Sequence, residues 1–138
     1  MHPYLPLVLI IISNIFYHLS TKNTPNAANP WLSLSVSYAV SFFSVIFAYA
    51  ASGNNLTKDL PQLSWTSIVL GFSLIGIELG YILLYRCGWK VNTGSLLVNA
   101  AVSLLLIFLG MMIYREMLSP RQVIGVIFCL LGTFMISK

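Results

Sequence analysis

The sequence predicts an all-α membrane protein of five transmembrane helices. Three observations carry that expectation: the composition, the lengths of the apolar runs, and the chemistry of the breaks between them. Of 138 residues, 58% are hydrophobic and only 7% charged, whereas soluble domains carry about 25% charged residues. So few charges cannot cover a water-facing surface. A helix crossing ~30 Å of hydrocarbon needs about 20 mainly apolar residues, and five runs approach that length: 4–20, 31–52, 64–86, 93–114 and 120–136. Together they make a single domain, 1–138, with no room for a soluble one.

The first run, PYLPLVLIIISNIFYHLS, has no Lys or Arg before it and no small-residue cleavage site after it. It reads as a true span and not as a removed signal segment. The breaks TKNTPNAANP, GNNLTKDLPQ, CGWKVN and REMLSP hold Pro, Gly and Asn where the chain must turn. Trp31, Trp65 and Trp89 fall at span ends, where an amphipathic indole prefers the headgroup region. Cys87 and Cys129 lie at different expected depths and read as free thiols. Asn55-Leu56-Thr57 matches a glycosylation sequon but sits in a short loop, where it carries no weight.

Seven basic residues oppose three acidic ones, for a formal charge of +4. They are spread singly between apolar runs, which fits loop charges at a bilayer and excludes a nucleic-acid patch. With five spans, Lys58, Arg115 and Arg121 fall on the side of the N-terminus, and Lys22, Arg86, Lys90 and Lys138 on the other. Three against four gives almost no orienting bias. Either a small first-helix effect selects one orientation, or both are made and pair as an antiparallel homodimer.

Polar residues inside the spans are either packing or function. Ser33, Ser37, Ser41, Ser44 and Ala48 form a helical row in the second span, read first as a close-packing face and second as cavity lining. Asn14, Tyr17, His18 and Thr21 share a face of the first span. His18 is there as a hydrated interfacial residue or a gate. Asn92, Ser95, Asn99 and Ser103 form a stripe in the fourth, with Asn99 costliest to satisfy at depth.

Glu78 is the strongest signal. It lies 13 residues after Trp65 and 11 before Trp89, roughly 20 and 16 Å at 1.5 Å per residue, near the expected midplane. A charged residue at a helix centre costs on the order of 2.5 to 3.5 kcal/mol on insertion scales, so this acid should be partnered or protonated. Gly71, Ile75, Tyr81, Ile82 and Tyr85 share its face. Glu78 is therefore either a packed acid bonded to Asn99, Asn14 or a tyrosine, or a group that exchanges a proton for substrate. Arg86 is read as an interfacial anchor, and Glu116, beside Arg115, as a surface ion-pair residue. No metal, cofactor or enzymatic catalysis is expected, since neither ligand spacing nor a nucleophile or phosphate-loop motif is present.

From Tyr81 to Ile136 the chain resembles the EamA-type domain of the drug/metabolite transporter superfamily: a basic-tipped turn, a long apolar span, Glu116, a loop Leu118-Ser119-Pro120, then Gln122, Gly125 and Gly132. The proline usual early in the fourth span is replaced by Asn99-Ala100-Ala101-Val102-Ser103, so no proline kink is expected there. Family members usually carry two five-span domains, the second inserted inverted. A single copy implies the same ten-helix shape built by an antiparallel homodimer.

The resemblance implies export of small metabolites, amino acids or drugs; with Glu78 read as a proton-exchanging group, the expectation is a proton-coupled exporter in a bacterial or archaeal cytoplasmic membrane. Its partners would be a second copy, the bilayer, a small-molecule substrate and protons. Glu78, Tyr81, Asn99, Asn14 and Tyr17 are the expected substrate or proton site, with His18, Tyr85 and Trp89 as possible gates. The alternatives are a flippase for a lipid-linked sugar, a passive channel, and a non-transporting accessory membrane subunit.

Overall fold

Local chemistry places most helix ends in this computed structural model, which describes residues 4–115, 117 and 119–137. Glu116, Leu118 and Lys138, each given a role or charge count above, lie outside the described residues. Helix α1 spans Leu5–Lys22, α2 Pro30–Ala51, α3 Leu56–Asp59, α4 Trp65–Arg86, α5 Val91–Ile113 and α6 Pro120–Ser137. Among the described residues there are no strands. The short α3 and a 3-10 turn at Leu60–Gln62 were not expected in the polar break after the second span.

The side chain of Asn29 caps α2, accepting from the amides of Trp31 at 2.9 Å and Leu32 at 3.4 Å, with Pro30 at the first helical position, where its missing N–H costs nothing. Gly53 and Gly88, each just past a C-cap, adopt φ of 69° and 93°, the left-handed stop that only glycine enters freely. At the start of α6, Ser119 and Gln122 form a reciprocal capping box. The Ser119 amide donates to Gln122 Oε1 at 2.8 Å, and the Gln122 amide donates back to Ser119 Oγ at 3.4 Å.

Four helices, α1, α2, α4 and α5, are long and apolar enough to cross a membrane. α6, the fifth expected span, is an apolar helix of the shorter class. It occupies the expected stretch of sequence, with Pro120–Ile136 as its apolar part. These helices are apolar on nearly every face: Phe47 is 75% and Phe72 72% exposed. A helix hydrophobic all round belongs in lipid or a large interior. Only Leu34, Tyr81, Ile82 and Tyr85 form a buried apolar core among the described residues.

Two compact units divide the described chain: 4–19 with 88–137, and 20–87. In the first, α5 packs on α6; Gly94 and Gly110 of α5 are buried, as is Thr133 of α6, whose hydroxyl bonds back to the Cys129 carbonyl at 2.8 Å. In the second, α2 packs antiparallel on α4, with the loop before α2 tied to the end of α4 by Arg86. The face of α2 that does so carries Leu34 and Tyr38, not the serine row. Ser37, Ser41 and Ser44 are exposed, and Ser37 and Ser44 bond to carbonyls four residues back at 3.1 and 2.7 Å. The serines thus satisfy themselves locally instead of packing against α4.

Candidate functional site

Glu78 sits in α4, whose ends are Trp65 and Arg86. The chain turns at Cys87 and Gly88, so Trp89 is not on this helix. The midpoint of α4 falls between Ile75 and Gly76, which puts Glu78 about 4 Å toward the Arg86 end at 1.5 Å per residue. The acid is half-buried. Within its unit no hydrogen bond reaches its carboxyl, so the tyrosine-bonded form of a packed acid is not what this unit builds.

Its neighbours on the helix face are Tyr81, Ile82 and Tyr85, all buried. The rings of Tyr81 and Tyr85 lie 5.9 Å apart at a tilt of 33°, an aromatic pair along one side of the helix. Across the unit, Tyr38 of α2 meets the stretch of α4 that holds Gly71 and Ile75. Its hydroxyl is buried and has no hydrogen-bond partner. An apolar groove of about 340 Å³ opens beside it, lined by Tyr38, Ser67, Gly71 and Ile75 among others. Sequence reasoning missed Tyr38, because attention to the serine row drew the helical face one residue too early. The signal was the i, i+4 pair of bulky residues, Leu34 and Tyr38.

The remaining candidates belong to the other unit. Asn14, His18, Ser95 and Asn99 line an open groove of about 440 Å³ between α1 and α5. This brings together the two polar stripes expected separately in the first and fourth spans. Asn14 and Asn99 are exposed within it, and Asn14 donates to the Ile10 carbonyl at 3.3 Å. His18 is buried, and its ring meets that of Tyr17 edge-on at 5.2 Å. Trp89 is exposed, at 40%, outside any helix.

Arg86 does more than anchor a helix end. Its Nη2 donates to the carbonyls of Pro25 at 3.0 Å and Ala28 at 2.6 Å, while Lys22 lies over the Tyr85 ring at 5.6 Å. On the opposite side of α2, the Tyr49 hydroxyl donates to Asp59 at 2.7 Å. No group of three His, Cys, Asp or Glu able to hold a metal occurs among the described residues.

By length and composition the four long helices mark an integral membrane protein, all-helical among its described residues. No family model, curated protein or solved structure matches the chain.

Proposed function

We propose that the protein is a small-molecule membrane transporter of the EamA type, a proton-coupled exporter of amine-bearing or cationic metabolites or drugs. It works as an antiparallel homodimer of ten spans, in the cytoplasmic membrane of a bacterium or archaeon. The observation that supports this most is Glu78, a half-buried acid in a lipid-class helix with no hydrogen bond in its own unit. Ionisable residues at such depth are costly and mark ion or substrate paths by default. Glu78 binds a proton or a cationic group but not both, and that exclusion is the coupling step. Tyr81, Tyr85 and Tyr38 supply aromatic surface against an ammonium group.

In this reading α6 is the fifth span. Its 18 residues rise about 27 Å, within reach of a thin or locally adjusted bilayer. The balance of three basic residues against four, counted over five spans, supports insertion in both orientations. The exposed serine row of α2 supplies a small-residue face on which a second copy can pack closely. Rocking the two copies about their shared axis then opens the site to each side in turn.

The test is proton flux in proteoliposomes with amine, amino-acid and neutral substrate panels. A transporter gives saturable, substrate-dependent proton movement that Glu78→Gln removes. An accessory subunit gives none, and a channel conducts without saturating; either result sinks the proposal.

A further inference from the structure

A second site lies at the end of α4, and it stands independently of the transport reading. The loop after α1 folds over the last turn of α4 and encloses a pocket of about 320 Å³, at the small end of ligand-site volumes. Lys22 and Arg86 both line it, with Thr21, Asn23, Thr24 and Asn26 supplying hydroxyls and amides. Among the described residues no carboxylate does. Two of the chain's three acids are accounted for elsewhere: Asp59 accepts from Tyr49, and Glu78 lies eight residues back along α4.

Arg86 is held firmly, because its Nη2 already serves two loop carbonyls. Both acceptors are neutral backbone carbonyls, and neither balances its charge. Its Nε is buried and without an acceptor, a state that costs free energy until an acceptor arrives. A guanidinium held on loop carbonyls beside the Lys22 ammonium, which donates to the Tyr85 carbonyl at 3.5 Å and lies over the Tyr85 ring, is among neutral donors the chemistry that recognises a phosphate group. Since α1 and α4 both end here, a membrane crossed by these helices puts the pocket at headgroup level.

We infer that the Lys22–Arg86 pocket is a binding site for a phosphate ester. The source is either a lipid headgroup or a soluble phosphate compound. The purified full-length protein in a neutral detergent is titrated with short-chain phosphatidylglycerol in one arm and glycerol 3-phosphate in the other, at fixed ionic strength, following thermal stability. Saturable stabilisation by the first alone assigns the site to lipid; stabilisation by glycerol 3-phosphate assigns it to a soluble ester.

Lys22→Gln should weaken the midpoint about tenfold or more, the loss of one charge-assisted bond, while Lys22→Arg retains it. Lys58→Gln, in α3 beyond the other end of α2, should leave it unchanged. Arg86→Gln also loosens the loop, so the assignment rests on Lys22. Absence of saturable stabilisation in both arms overturns the site, as does an equal response from Lys22→Gln or from sodium chloride alone.

Discussion

Arg86 and Ala28 are joined by a 2.6 Å hydrogen bond from the guanidinium Nη2 to the backbone carbonyl, across 58 residues of chain. With the second bond to Pro25, it fixes where the loop between α1 and α2 meets the end of α4. Arg86→Lys keeps the charge but loses the planar donor that serves both carbonyls. It should lower stability by about 1 to 2 kcal/mol, seen as a lower unfolding midpoint in detergent. A variant as stable as the parent would show that the tie contributes nothing.

Glu78→Gln keeps the shape of the side chain and removes its titration. The folded protein should purify and unfold like the parent, while substrate-dependent proton flux in proteoliposomes falls to the protein-free background. Unchanged flux and pH dependence in this variant would remove Glu78 from the coupling role.

Tyr38→Phe deletes a buried hydroxyl that has no partner. Removing an unsatisfied polar group should be neutral or stabilising by up to about 1 kcal/mol, in contrast to most buried substitutions. Because Tyr38 lines a groove with Gly71 and Ile75, within about two turns of Glu78 on α4, the same change should alter the substrate KM of transport. A clear loss of stability, measured by thermal unfolding in detergent, would mean that the hydroxyl is satisfied.

Ser119 and Gln122 cap α6 reciprocally. Ser119→Ala and Gln122→Ala should each cost about 1 kcal/mol, and the double variant less than their sum, since both break one motif. Amide hydrogen exchange in the first turn of α6 reads this directly. Full additivity would argue against a shared cap.

The near-equal basic counts predict that reporters at either terminus are labelled from both sides of the membrane. Adding two lysines to the loop between α1 and α2 should shift the population toward one orientation. A single orientation, indifferent to added lysines, is the outcome that excludes the antiparallel homodimer.

Much of this was legible in the residues. Apolar runs bounded by Asn29-Pro30, Ser52-Gly53, Cys87-Gly88 and Ser119-Pro120 placed the long helices to within a residue or two, because capping and glycine stops are local events. Ser119, Pro120 and Gln122 have a local physical content as well: those three residues start α6. Less legible was which side of each helix meets a neighbour. The serine row of α2 looks like the packing face, yet a Ser hydroxyl can satisfy itself on its own helix, and it is Leu34 that is buried and Tyr38 that lines the groove with α4.

The sequence by itself determined an all-helical chain of membrane composition and an acid deep within its third long apolar run, since hydropathy and capping act over a few residues. Only the tertiary structure decided that Tyr38 meets α4 beside Gly71 and Ile75, that Arg86 ties a loop 58 residues away, and that Lys22 joins it around a pocket with no acid among the described residues. Those relationships depend on the rotation and register of one helix against another. In a chain apolar on nearly every face, hydrophobic periodicity leaves both almost unspecified.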